Sequence, residues 1–203
     1  MTKVKICGLR RPCDIEYANI LKPEYIGFVF AKSSKRCVTA DEAGKLKKAL
    51  DKNIIAAGVF VNEKPEVIAD ICGRGIIDII QLHGNEDEEY IALVRKLTDK
   101  KIIKTFKIET KNDIILAEKS SADYVCLDNG KGTGKNFDWS LLEGICRPYF
   151  LAGGLDEKNV KEALKKFRPY AVDTSSNVEG SDGYKSFEKM KRFIETVRSS
   201  EED

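Results

Sequence analysis

The run Ile54-Ile55-Ala56-Ala57-Gly58-Val59-Phe60-Val61, the charged segment Lys64–Arg74 and the run Ile77-Asp78-Ile79-Ile80-Gln81-Leu82 follow one another closely in the chain. The outer two are rich in β-branched residues and short, as strands are. The middle one has apolar positions at helical spacing, Pro65 where a first helical turn begins, and Gly73 and Gly75 bracketing its end. Strand alternating with helix demands parallel strands.

The same unit recurs along the chain. Strand-like runs occupy Lys3–Cys7, Tyr25–Phe30, Ile54–Val61, Ile77–Leu82, Lys101–Ile108, Ala122–Asp128, Tyr149–Ala152 and Pro169–Thr174. Helical segments include Thr39–Leu50, Lys64–Arg74, Glu86–Leu97, Asn112–Lys119, Glu157–Phe167 and Tyr184–Val197. Thr39 ahead of Asp41-Glu42, and Asp156 ahead of Glu157–Val160, supply helix starts. Eight strand-helix units in 203 residues and 22.8 kDa predict an α/β protein with one (β/α)8 TIM barrel domain over residues 1–203, whose last residues, 199–203, form a frayed tail. An open doubly wound sheet is the alternative, although five or six strands are more usual there.

Composition narrows the function. Basic and acidic residues nearly balance, 35 against 33, so the net charge is +2 and the signs are interspersed. That gives no electrostatic footprint for nucleic acid or an anionic membrane, and an anionic substrate must be held by local groups. The N-terminus enters the first strand without an apolar leader and no long apolar stretch occurs, which predicts a cytoplasmic protein with no membrane partner. Cys7, Cys13, Cys37, Cys72, Cys126 and Cys146 are scattered, and read as free thiols. Without a C-x-x-C pair, and with His83 the single histidine, no metal site is expected. Exposed apolar patches cannot be located from sequence, and both a monomer and a homodimer fit.

In such a barrel the active groups lie at the C-terminal ends of strands. Those ends here are rich in glycine and polar residues. In Val4-Lys5-Ile6-Cys7-Gly8, strand alternation puts the ammonium of Lys5 on the same face as the thiol of Cys7, an arrangement that favours the thiolate and makes Cys7 a candidate base or nucleophile. Asp128 ends a strand whose inward face also carries Cys126 and Tyr124, and a carboxylate there can donate a proton. Gly153-Gly154 and Ser175-Ser176 end the last two strands, where backbone approach and hydroxyl donors make a phosphate cradle. The glycines of Asn129–Gly134 match neither a Walker loop nor a dinucleotide fingerprint. Arg36 is a fork-shaped donor suited to a carboxylate, though a charged loop read alone is only solvated. His83, on the same strand face as Gln81, reads by itself more readily as a hydrogen-bonded strand-end histidine than as a catalyst.

Together these residues resemble a known family. Lys5-Ile6-Cys7-Gly8-Leu9, Gln81-Leu82-His83-Gly84, Asp128 with Gly132-Thr133-Gly134 and Phe137-Asp138-Trp139, Leu151-Ala152-Gly153-Gly154-Leu155 with Asn159-Val160, and Asp173-Thr174-Ser175-Ser176-Asn177-Val178-Glu179 are similar, in order, to the motifs of phosphoribosylanthranilate isomerases of tryptophan biosynthesis. The resemblance implies a (β/α)8 enzyme that needs no cofactor. Its small-molecule phosphorylated substrate, N-(5-phosphoribosyl)anthranilate, would undergo an Amadori rearrangement to 1-(2-carboxyphenylamino)-1-deoxyribulose 5-phosphate. It makes Cys7 the general base and Asp128 the general acid. Arg36 becomes the contact to the anthranilate carboxylate, Lys5, Gln81, His83 and Asp173 further substrate-binding residues, and Gly153, Gly154, Ser175 and Ser176 the phosphate site.

The chain departs from the family pattern in places. The family has glycine where Asn177 stands, Pro-Gly near Ser181-Asp182-Gly183, Lys-Asp at Lys185-Ser186, and a double glycine at Lys131-Gly132. Asn tolerates the left-handed conformation that glycine would supply. Gly130–Gly134 and Ser33–Lys35 are expected to close over a ligand. A phospho-ligand sensor on the same barrel, and a sugar-phosphate enzyme with a lysine base or a metal, are the competing functions. Retention of Cys7, Asp128 and Arg36 together argues against the first, and the lone histidine without a carboxylate cluster against the second.

Overall fold

The computed structural model describes residues 1–128, 139–142 and 144–200. Its strands are β1 (Lys3–Cys7), β2 (Tyr25–Val29), β3 (Ile55–Phe60), β4 (Ile79–Leu82), β5 (Lys101–Lys107), β6 (Tyr124–Asp128), β7 (Tyr149–Ala152) and β8 (Ala171–Thr174). They pair in sequence order, all parallel, and β8 returns to β1 with Lys5 opposite Asp173. The sheet is therefore a closed barrel, and the open doubly wound alternative is excluded.

Around it lie α1 (Pro12–Leu21), α2 (Ala40–Ala49), α3 (Pro65–Gly73), α4 (Glu88–Leu97), α5 (Lys111–Lys119), α6 (Val160–Phe167) and α7 (Phe187–Ser199). Among the described residues the connection from β6 to β7 holds one 3₁₀ turn, Trp139–Leu142, where the repeating pattern predicts an α-helix. The apolar residues of α1 are not confined to one face, which weakens its helical signature in the sequence: Ile15 and Ala18 are buried while Ile20 is 65% exposed. α7 continues to Ser199, and Ser200 caps it with its amide bonded to Thr196 O; residues 201–203 of the expected tail lie outside the described residues.

Helix starts follow local chemistry. Thr39 and Glu42 form a reciprocal capping box at α2, and Pro65 opens α3. Two starts fall later than expected. Asp156 caps a preceding turn through the amides of Lys158 and Asn159, so α6 begins only at Val160. Glu86 is not on α4: its buried carboxylate accepts the amides of Asn62 and Gly84 and the ammonium of Lys104 at 2.7–2.8 Å. A charged residue assigned to a surface helix is thus an internal anchor for the loops after β3 and β4.

Strand alternation divides the core into two layers. Val4, Ile6, Ile26, Phe28, Ile80, Leu127 and Val172 face outward under the helices, whereas Tyr25, Ala57, Ile103, Cys126 and Phe150 fill the barrel interior. The N-terminal mouth is plugged by Tyr25, Tyr124, Phe150 and Tyr170, whose ring centroids lie 5.0–5.8 Å apart. Polar interior residues gather at the other end.

Candidate active site

At the C-terminal rim a cavity of about 340 Å³ is lined by Cys7 from β1, Arg36 after β2, Gln81 and His83 from the end of β4, Asp128 from β6, Gly153 and Gly154 after β7, and Asp173, Ser175 and Ser176 at the end of β8. Cys7, Gln81, Asp128 and Asp173 stand there because each occupies an inward position at the end of its strand, and the loops that follow the strands bring the others. Of the site residues expected from sequence, Lys5 alone is missing from the wall.

Lys5 lies one layer below. It is fully buried, and its Nζ donates to Asp173 Oδ2 at 2.7 Å. Burial opposes its charge, but Asp173 holds the ammonium above the ordinary lysine range. The Lys5 ammonium thus stands beneath the thiol with a carboxylate already bound, one layer under the residues that line the cavity. The other oxygen of the pair, Asp173 Oδ1, and Gln81 Oε1 are buried acceptors without a donor among the described residues. Gln81 Nε2 donates to Thr105 Oγ1 at 3.2 Å, so its amide is fixed with the oxygen left over.

Cys7 is half-buried. Its carbonyl accepts the hydroxyl of Ser175 at 2.9 Å, and β2 presents Gly27 beneath the sulfur, where a Cβ would stand 2.7 Å from Sγ. Burial raises the thiol above its ordinary value; Lys5 and Lys185 pull it down, while Asp173 pushes it further up. The expectation that Lys5 favours the thiolate is thus offset, because the charge of Lys5 is shared with Asp173 and burial disfavours the charged sulfur. In the free protein the Cys7 thiolate is expected to form only above the ordinary thiol midpoint of about 8.5. Titration of thiolate absorbance, taken as the difference between the parent and Cys7→Ser, measures this; a midpoint at or below neutrality would refute it.

Across the cavity, His83 Nε2 lies 3.4 Å from Asp128 Oδ2, and both side chains are partly exposed. The histidine is therefore neither a buried structural residue nor remote from the acid, and its neighbour is the carboxylate of interest. His83 and Asp128 also line a second hollow of about 620 Å³, together with Lys104, Lys107 and Leu116. The loop Asn129–Gly134 and most of the Phe137-Asp138-Trp139 motif lie outside the described residues.

Arg36 is bound by Glu179, with Nε to Oε1 at 2.5 Å and Nη2 to Oε2 at 2.8 Å. Burial works against ionising Glu179, yet Arg36 and Lys185 hold it below the usual carboxylate range. Lys185 is buried and also donates to Ser175 O at 2.9 Å. Sequence motifs include Glu179 and Lys185 but assign neither a role. A signal was present in that each is a charged residue within a Gly- and Ser-rich strand-end loop.

The last two loops are stitched together at one carbonyl. Thr174 Oγ1 and Asn177 Nδ2 both donate to Leu155 O, at 2.8 and 3.1 Å. Asn177 lies in a 3₁₀ turn, Ser176–Val178, with no positive φ, so its tolerance of the left-handed region is not what makes it acceptable; its side chain ties the loops instead. Gly153 and Gly154 do take positive φ, 92° and 74°, which exposes their backbone to the cavity. The hydroxyl proton of Ser175 is spent on Cys7 O, leaving Ser176, which is exposed, as the free hydroxyl donor. Ser181-Asp182-Gly183 makes a compact turn in which Asp182 Oδ1 accepts the amide of Tyr184, and Arg10 and Arg11 sit 4.1 and 4.3 Å from the Tyr184 ring. Arg10 also donates to Lys35 O at 2.6 Å and Gly183 O at 3.1 Å, so Ser33–Lys35 is tied to the rim.

Gly8 fixes the approach of β1 to Arg36. Its φ is +86°, and a Cβ would stand 2.4 Å from Arg36 Cδ. Gly8→Ala is expected to cost about 1–3 kcal/mol of stability from the backbone alone. Urea unfolding measures it, and a variant as stable as the parent would contradict this geometry.

Residues 4–196 match the model of the family described as N-(5'phosphoribosyl)anthranilate (PRA) isomerase. A Thermoanaerobacter sp. (strain X514) protein named N-(5'-phosphoribosyl)anthranilate isomerase is 47% identical, covering 98% of both chains. The crystal structure of phosphoribosyl anthranilate isomerase from Thermotoga maritima superposes with a TM-score of 0.88 at 32% identity, covering 98% of this chain and 100% of that one. A crystal structure of such an isomerase in complex with reduced 1-(o-carboxyphenylamino)-1-deoxyribulose 5-phosphate is similar at a TM-score of 0.87 and 32% identity, with the same coverage.

Proposed function

This chain belongs to the N-(5'-phosphoribosyl)anthranilate isomerase family, and on that premise we propose that Asp128 and Cys7 carry the proton transfers by which it converts N-(5-phosphoribosyl)anthranilate into 1-(2-carboxyphenylamino)-1-deoxyribulose 5-phosphate. The observation that carries the reading is the placement of Cys7 and Asp128, from the non-adjacent strands β1 and β6, on one cavity between an arginine fork and two glycine- and serine-rich loops.

The substrate is a ribose 5-phosphate bearing an aromatic amine with an ortho carboxylate. Its phosphate fits the backbone donors around Gly153, Gly154 and Ser175 with the hydroxyl of Ser176, and its carboxylate fits Arg36. Asp128 gives a proton to the ring oxygen as the C1–O bond breaks and the nitrogen lone pair forms a Schiff base. The cationic Schiff base acidifies the hydrogen on C2, which Cys7 removes as a thiolate. The resulting enolamine loses the proton of its C2 hydroxyl and gains one at C1, giving the ketone. Hydrogen has moved from C2 to C1 and nothing external is oxidised or reduced, which accords with a reaction without cofactor.

A raised thiol is compatible with this role. The thiolate fraction at neutral pH is smaller, but each thiolate is a stronger base toward carbon. Asp173 Oδ1 and Gln81 Oε1, buried acceptors on the cavity floor, suit the ribose hydroxyls. A place in tryptophan biosynthesis goes with the family, and a cytoplasmic monomer or homodimer is proposed with it. None of the described helices is long and apolar enough to cross a membrane.

The direct test follows the fluorescence of phosphoribosylanthranilate during incubation with the purified protein. Loss of signal with formation of the ketose is expected. Binding of the phosphorylated product without turnover would overturn the reading in favour of a phospho-ligand sensor.

A further inference from the structure

A guanidinium has two edges able to grip a carboxylate. In Arg36 the Nε/Nη2 edge is filled by Glu179, which leaves the end of the fork at Nη1 and the second Nη2 hydrogen for an incoming group in the cavity. Glu179 itself is held from three directions. Its Oε1 accepts Lys185 Nζ at 2.8 Å, its carbonyl accepts Lys189 Nζ at 2.6 Å, and its amide donates to Ser176 O at 3.1 Å. The side chains of Glu179 and Lys185 are 10% and 1% exposed, so withdrawing the carboxylate would leave a buried ammonium without its counter-charge. Glu179 therefore stays in place when the cavity fills.

We infer that Glu179 is a positioning residue that aims the free end of Arg36 at the carboxylate of the substrate. The inference rests on the proposed function, in which Arg36 receives that carboxylate. The stem of Arg36 lies against Gly8, where only a glycine leaves room, and its head is bonded to Glu179, so both ends of the side chain are set before a ligand arrives. Through Lys185 the same carboxylate reaches Ser175, whose hydroxyl bonds the carbonyl of Cys7. One buried anion thereby ties the carboxylate fork, the phosphate loop and the strand of the base into a single frame, and favours substrates in which a carboxylate lies at a fixed distance from the sugar phosphate. A neighbouring anion also weakens the pull of Arg36 on a ligand. The bidentate geometry outweighs this, because an arginine that must be ordered on binding loses part of its interaction to the entropy of ordering.

The test is a double-mutant cycle read as kcat and KM for phosphoribosylanthranilate, with Arg36→Met, Glu179→Ala, Glu179→Gln and the combined variants. Glu179→Ala is expected to raise KM about 10- to 100-fold, the range for a lost charge-assisted hydrogen bond, with little change in kcat. Glu179→Gln keeps one acceptor oxygen and should raise KM less. In the Arg36→Met background either substitution should raise KM much less than it does in the parent, by no more than its link through Lys185 contributes, which a general loosening of the loop would not produce. If Arg36→Met raises KM while both Glu179 variants leave it unchanged, the inference is overturned and the carboxylate reading stands. If Arg36→Met itself leaves KM unchanged, that reading fails and the inference falls with it. A lower KM in Glu179→Gln would make Glu179 a competitor for the fork and also overturn it. Should Glu179→Ala not fold, Glu179→Gln alone and with Arg36→Met completes the cycle.

Discussion

Cys7→Ser and Asp128→Asn are each expected to lower kcat by about 10²- to 10⁴-fold, the usual contribution of a positioned acid or base, with KM changed far less. The serine hydroxyl matches the thiol in shape and fits above Gly27, but it does not ionise in the working pH range. An asparagine amide can still sit beside His83 and donate a hydrogen bond, but it has no acidic proton to transfer to the ring oxygen. Both losses should appear in kcat because the two groups act on bonds that change only during the reaction. The double variant should fall short of the product of the single losses, since each substitution makes its own step limiting. Turnover that survives both substitutions would sink the mechanism.

The second large effect concerns stability. Lys5→Met is expected to destabilise the fold by about 3–5 kcal/mol, because it strands a buried carboxylate without its cation. Asp173→Asn should be similarly costly, leaving the fully buried Lys5 ammonium with a neutral amide. The combined Lys5→Met/Asp173→Asn variant should be less destabilised than the two single losses predict together, with a coupling of about 0.5–3 kcal/mol. Urea unfolding of the parent, the two single variants and the double variant closes the cycle. Purely additive losses would mean that the 2.7 Å contact contributes nothing of its own.

Much of the barrel is legible in the chain because its causes are local. The β-branched runs, the capping box at Thr39 and the proline of α3 act within a few residues, and alternation alone places Lys5 with Cys7, and Tyr124 and Cys126 with Asp128, on inward faces. Where local patterns compete with tertiary contacts the reading slips. Glu86 has the charge of a surface helix and is buried by Lys104, and α1 lacks a clean apolar face. Among the described residues the region after β6 holds a single 3₁₀ turn despite the rhythm of the rest.

The sequence by itself determined the alternation of strand and helix, the face on which each chemical group stands, and the rim where those groups collect, since these follow from backbone periodicity and the polarity of strand ends. Partnership was decided only by the closed barrel. It brings Lys5 to Asp173 across 168 residues and Arg36 to Glu179 across 143, and so makes the thiolate-favouring lysine also half of an internal ion pair and a loop arginine an oriented fork. The physical reason is range. Dihedral preferences and periodicity are properties of neighbouring residues, whereas charge pairing and burial depend on which strands meet when the sheet closes.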